Sequence, residues 1–272
     1  GPLAALGAVA AAGAGPHAAP FTPGSPLARA ASRRPPAALI ASRIPPDAEV
    51  RLHFLLSSVR LGNQARYQAW YAGRHLAWPG AGAAATSAAV VDTVRFVVAV
   101  YRPSAAVLVS DVLPRWALLG WLVTVPRSPA GCAAAAAAAV ADWAAFDPAS
   151  DSFMAAEPAA LLMLHSLPRY AHVTASVLDA LVGKSGASGV DERALSAGAD
   201  ALVSRGVLRS FDRLAGAPEV PAGLRARVRA VFGRHLSQGA GVKAEEDKAG
   251  AAPNAAPTTT TASPGATAPA SI

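Results

Sequence analysis

The chain has 272 residues, with 24 basic side chains, 17 acidic ones and one cysteine. One cysteine excludes a disulfide framework and a cysteine-rich zinc site, and no G-x-y or heptad register persists, which excludes collagen and a coiled coil. Alanine supplies 70 residues, so the positive mean hydropathy reflects a side chain that buries little area rather than a large aliphatic core.

Residues 1–42 are rich in Ala, Gly and Pro, carry three arginines and no acid, and lack apolar periodicity. They are expected to be disordered or loosely helical. The start lacks Met and a basic n-region, which points to a fragment rather than a signal peptide. A transit peptide would suit the absence of acids before Asp47, but serine is sparse there.

From 43 to 236 the period is helical. Pro45-Pro46-Asp47 opens the first helix, with Leu52, Leu55, Leu56 and Val59 on one stripe. Gly62 breaks it. A second helix begins at Asn63, sets Tyr67, Trp70 and Tyr71 on one side, and ends at Pro79-Gly80. Thr86 or Ser87 is expected to cap a third, whose Val90, Val94, Val97, Val98 and Tyr101 run to Arg102-Pro103. Asp111 is the expected cap before Pro114, and the helix through Val125 is apolar nearly all round, which predicts a central, buried element.

An alanine-rich helix over Ala133–Phe146 follows, stopped at Asp147-Pro148. Glu157-Pro158 starts another, with Leu161, Leu162 and His165 on one face. Val173, Val177, Leu178 and Leu181 mark the next. Two or three helices fill Asp191–Leu236, the last carrying Leu224, Val228, Val231 and Phe232 at helical spacing among Arg225, Arg227, Arg229 and Arg234. Residues 237–272 form a low-complexity tail that cannot bury enough area to offset its ordering entropy.

The total is about nine helices joined by short linkers, with no convincing strand. Short linkers make neighbours antiparallel, so the expected fold is all-α: an α-α superhelix, HEAT-like, between disordered termini. The longest apolar runs, Trp116–Val125 and Ala130–Ala141, fall short of the ~20 residues a membrane span needs, which argues for a soluble chain. Residues 43–182 carry ten arginines against nine acids. The basic pI therefore does not by itself imply nucleic acid.

Chemical motifs are weak. Gly183-Lys184-Ser185 resembles the end of a phosphate-binding loop, but Leu178 stands where that motif needs Gly, and a helix precedes it. Asp147, Asp151 and Glu157 lack the spacing of a calcium loop and suit helix boundaries. The histidines show no H-E-x-x-H spacing, and His165 reads as a satisfied core histidine. Cys132, inside the alanine helix, reads as a small buried hydrophobe. No nucleophile elbow occurs, so neither enzymatic chemistry, a cofactor nor a metal is expected. Tyr67, Trp70 and Tyr71 could stack on bases but read as core. Arg225, Arg227, Arg229 and Arg234 are the candidate phosphate contacts of an alternative, direct nucleic-acid binder.

Several stretches carry a resemblance: Gly62-Asn-Gln-Ala-Arg-Tyr-Gln-Ala-Trp70, Ser110-Asp-Val-Leu-Pro-Arg-Trp-Ala-Leu-Leu-Gly-Trp-Leu122, Asp142-Trp143, Phe146-Asp-Pro148, and Glu157-Pro-Ala159 leading to Met163, His165 and Ser166. In order and spacing, from about Ser32 to Leu236, they resemble the N-terminal helical domain of the Integrator complex subunit 3 family, which the SOSS complex shares.

The resemblance implies a non-catalytic α-superhelical scaffold. It implies as partners a single-stranded-DNA-binding OB-fold protein, a small SOSS-type subunit and other Integrator subunits, with nucleic acid met indirectly and no membrane. It implies roles in the DNA damage response, double-strand break repair and small nuclear RNA 3′-end processing, in nucleus and cytoplasm. Against the family pattern, the preceding helices and the C-terminal helical domain are not in this chain, and the connection around Val182–Val190 is shortened. Trp70, Trp116, Trp121 and Trp143 are expected in the structural core. Arg66 and Arg74, off the aromatic side of the second helix, are the expected polar partner contacts.

Overall fold

Each apolar stripe must bury one face, and each Pro or Gly between stripes turns the chain so that it can. In the computed structural model, which describes residues 35–77, 80–183 and 191–237, the result is helical throughout. Among these residues the extended structure is limited to one isolated bridge, Arg60 to Val112. The helices are α1 (Ala37–Ala41), α2 (Pro46–Ser58), α3 (Ala65–Tyr71), α4 (Ala83–Arg95), α5 (Ala105–Leu108), α6 (Arg115–Thr124), α7 (Pro129–Ala144), α8 (Glu157–Ser166), α9 (Ala171–Val182), α10 (Glu192–Ser204), α11 (Asp212–Gly216) and α12 (Ala222–Phe232).

The twelve α-helices among the described residues exceed the expected nine because α1, α5 and α11 have only four or five residues each, too short to show a period. α1 lies inside the segment expected to be disordered or loosely helical: Ile40 is buried, and the helix packs on the end of α4. Segments 1–34 and 238–272, Pro79, and the connection after Gly183 with its Lys184-Ser185 pair lie outside the described residues.

Local chemistry explains most boundaries. Pro46 occupies the first turn of α2, where Asp47 and Glu49 complement the helix dipole. Gly62, at φ 101°, takes the left-handed turn into α3. Ser128 caps α7, its hydroxyl accepting from the Gly131 N–H at 3.1 Å. Asp191 caps α10 by accepting from the Arg193 N–H at 2.9 Å.

Three expectations are corrected here. α4 starts after Gly82 rather than at Thr86 or Ser87, and Thr86 is buried within it. α6 starts after Pro114, and Asp111 does not cap it. The Asp111 carbonyl instead accepts from the Leu61 N–H at 2.9 Å, while Leu113 N–H donates to the Val59 carbonyl at 2.7 Å, so the α2–α3 and α5–α6 loops are stitched together. Third, the central helix is α7 rather than α6.

α7 owes that position to its alanines. Ala135, Ala136 and Ala139 are fully buried, and side chains this small let α4, α6, α8, α9 and α10 all pack on one helix. Arg95 of α4 ties into it, donating to the Asp142 carboxylate at 2.9 Å and to the Ala138 carbonyl at 3.3 Å. At the C-terminal end of α7, Trp143 is completely buried. Its indole N–H donates to the Leu195 carbonyl at 3.0 Å, and it packs on Phe211 and Phe232, which stack on each other at 4.5 Å.

Both α3 and α4 end in a wider turn. Ala72–Leu76 and Phe96–Val100 are π-helical, closed by Ala77 N–H to the Ala72 carbonyl at 2.8 Å and by Tyr101 N–H to the Phe96 carbonyl at 2.9 Å. With its π turn α4 forms a continuous helix, Ala83–Val100, of 18 residues, apolar and long enough for the membrane-span test that the two shorter runs fail. Val90, Val94, Phe96, Val97 and Val98 of this helix are buried within the protein core, so its hydropathy serves packing.

Two substitutions test the centre of the fold. Trp143→Ala should destabilise by about 3–5 kcal/mol through lost burial and a residual cavity. Gly198→Ala should cost about 1–3 kcal/mol by overpacking, because a Cβ there would stand 2.6 Å from the Trp143 ring. Denaturant unfolding with an unchanged m-value checks both.

Candidate partner-binding surface

Two exposed features meet at the stitched loops. The first is a groove of about 440 Å³ between α3, α6, α8 and α9. Trp116 and His165 form one wall, their rings stacked at 4.2 Å and within 16° of parallel. Trp121 and Tyr170 line it too, and Gly120 keeps its floor deep. A Cβ on Gly120 would come within 3.2 Å of Leu162, so the small residue is what lets α6 and α8 approach.

The second feature is an arginine–aromatic face on α2 and α3. Arg51 lies over the Trp70 ring at 4.5 Å from its centroid. Arg66 lies over Tyr67 at the same distance and donates to the Tyr67 hydroxyl. Phe54 meets Tyr67 edge to face at 5.6 Å. Phe54, Leu61 and Trp70 are each more than two-fifths exposed. Large rings held by packing yet open to solvent, with arginine beside them, are the composition of binding hot spots.

The structure distributes the expected site residues unevenly. Trp143 is in the core, but Trp70 is not: 46% of it is exposed, because Tyr71, not Trp70, turns inward from α3. Trp116 and Trp121 are half-buried, packed on the core from the groove side. His165 is exposed rather than a core histidine, and its contact is the Trp116 face. Cys132 is half-buried, its thiol directed to the Pro126 carbonyl at 3.3 Å.

Arg66 stands in the arginine–aromatic face. Arg74 is exposed, further along the chain on the π turn that continues α3. The four C-terminal arginines serve internal contacts. Arg225 donates to the Ala217 carbonyl at 3.4 Å, Arg227 to the Val182 carbonyl, and Arg229 to the Ala215 carbonyl at 2.6 Å. Arg234 pairs with Asp200. Among the described residues no group of three His, Cys, Asp or Glu side chains is placed to hold a metal. The sequence motifs pointed to Arg66 but missed Phe54, Leu61 and Tyr170. An apolar residue left outside shows no signal in a periodicity that looks only for the inside.

Three histidines have pKa values below the ordinary histidine value. Partial desolvation against the Trp116 face lowers the pKa of the otherwise exposed His165, with a smaller contribution from the Arg213 charge. Burial also lowers His75, outweighing the opposing pull of Asp47, and His235, outweighing that of Asp200. Each folded pKa lies below the unfolded one, so the unfolded chain binds protons more readily. The stability involved is complete above an ordinary His pKa and drains away as pH falls through the folded value.

Comparison with known proteins identifies the family. The family model described as "Integrator complex subunit 3 N-terminal" matches residues 25–230. Integrator complex subunit 3 of Homo sapiens is 41% identical over 140 residues, 52% of this chain and 13% of that protein. The Mus musculus protein gives the same figures. The Integrator complex subunit 3 homolog of Drosophila mojavensis is 40% identical over 139 residues, 51% of this chain and 12% of that protein. The chain thus matches only a small fraction of the length of these relatives.

Two measurements bear on the surface. Trp116→Ala, half-buried, should cost about 1–2 kcal/mol, below the roughly 3–5 kcal/mol of a core tryptophan, in parallel melts with Trp143→Ala. Stability to urea should be lower near pH 5.5 than near pH 7.5, with His165→Gln flattening part of that slope.

Proposed function

Because the chain belongs to the Integrator complex subunit 3 N-terminal family, we propose that it is a non-catalytic scaffold of an Integrator-type assembly, acting in the nucleus. The finer part of this proposal concerns partners and process. The chain holds a single-stranded-DNA-binding OB-fold protein and a small SOSS-type subunit, and other Integrator subunits join it. It serves the DNA damage response and double-strand break repair, with small nuclear RNA 3′-end processing as the second process, and is present in the cytoplasm as well. Nucleic acid reaches the complex through the OB-fold protein.

The observation that carries this reading is the pairing of a packed helical body with a surface of half-exposed rings and arginines. A surface that is ordered before its partner arrives loses little freedom on binding, which is how a scaffold contributes affinity. Direct nucleic-acid binding through α12 draws less support, since Arg225, Arg227 and Arg229 donate to backbone carbonyls and Arg234 pairs with Asp200.

Co-expression with the family's OB-fold protein, together with a DNA titration of the chain alone across salt, tests the proposal. The expected result is co-purification and no measurable binding of single-stranded DNA by the chain by itself. Micromolar or tighter DNA binding by the chain alone, weakening steeply with salt, would favour the direct binder.

A further inference from the structure

The arginine–aromatic face of α2 and α3 contains two neighbouring depressions of different chemistry. One, of about 360 Å³, is lined by Arg51, Phe54, Leu55, Tyr67 and Trp70. Its rings are open, and its single charge already lies over Trp70 while standing 3.6 Å from Asp47. The other, of about 540 Å³, shares Phe54 and Tyr67 as its wall and is rimmed by Arg60, Asn63 and Arg66. The first suits an apolar side chain, the second an anion.

The charges on this face divide in the same way. Arg60 is paired with Asp111 at 3.1 Å. Arg66 and Arg74 have no carboxylate partner among the described residues. Positive charge is therefore left over on the second depression and beyond it, next to uncovered rings.

We propose that this face docks an acidic, apolar-studded segment of a protein partner. An aromatic or long aliphatic side chain enters the Trp70 depression, and an adjacent carboxylate enters the one rimmed by Arg60, Asn63 and Arg66. The inference rests on the scaffold reading and names the chemistry of what is held. Carboxylate against guanidinium gives register and short, charge-assisted hydrogen bonds. The rings supply the desolvated centre. Nucleic acid fits less well. Exposed Val50, Phe54 and Leu61 offer a phosphate backbone apolar surface rather than the further cations it needs.

The test uses fluorescein-labelled peptides in anisotropy titrations of the whole chain. One peptide sets Phe and Leu among Glu residues, and its twin carries Lys at every Glu. A single-stranded oligonucleotide serves as competitor. The acidic peptide should bind, more weakly in higher salt, while the basic twin should not. Trp70→Ala and Arg66→Glu should each weaken the acidic peptide about tenfold or more, and Arg74→Glu should add to the loss. Arg66→Glu should gain affinity for the basic twin, a readout that a damaged fold would not produce. Thermal melts of the variants guard against unfolding.

No binding of the acidic peptide would overturn the proposal. So would equal binding of the twins, indifference to the substitutions, or displacement by the oligonucleotide at lower concentration than by unlabelled peptide. Each of these outcomes leaves the scaffold reading to stand or fall on co-purification alone.

Discussion

Close approach at α7 is the constraint from which the rest of the architecture follows. A helix whose buried side chains are methyl groups can have neighbours on nearly every side, and α4, α6, α8, α9 and α10 use that freedom. Alanine buries little area per residue, so tightness must come from number of contacts rather than size. At its end the pattern inverts: Trp143 fills the space that Gly198 leaves open, and Phe211 and Phe232 close around it. Small residues set the distance between helices, and one large residue locks the layers in register.

Charge follows the same division between inside and outside. The two most enclosed pairs, Arg95 with Asp142 and Arg115 with Glu157, join helices from different parts of the sequence. Removing one partner of such a pair leaves a charge buried alone, which costs far more than the intact pair contributes. These pairs therefore act against misplacement of α4 on α7 and of α6 on α8. The surface arginines at 66 and 74 join no such buried pair, and Arg66 instead lies over the Tyr67 ring.

Much of the helical order was legible because it rests on local rules. Pro46, Gly62 and Pro114 mark ends whose causes lie within a few residues, whereas the helix expected from Ala133 starts at Pro129. The all-α class followed from the 3.6-residue stripes, and the Pro-Arg-Trp helix carried the family resemblance. What was not legible depended on distant partners. A stripe says that α3 has an inner face, but only the tertiary packing decides that Tyr71 takes it and Trp70 does not. Asp111 looked like a cap because an acid before a proline usually is one; its role in stitching depends on Leu61, far away in the chain. His165 shares a helix with Leu161 and Leu162, yet its position over Trp116 is set by α6.

That stitching has a mechanical meaning. Leu61 and Leu113 bind the turn that carries the arginine–aromatic face to the strap that enters the Trp116 helix. The two exposed features thus hang from one bracket. Displacing either loop strains both backbone hydrogen bonds, so the two surfaces keep their spacing together.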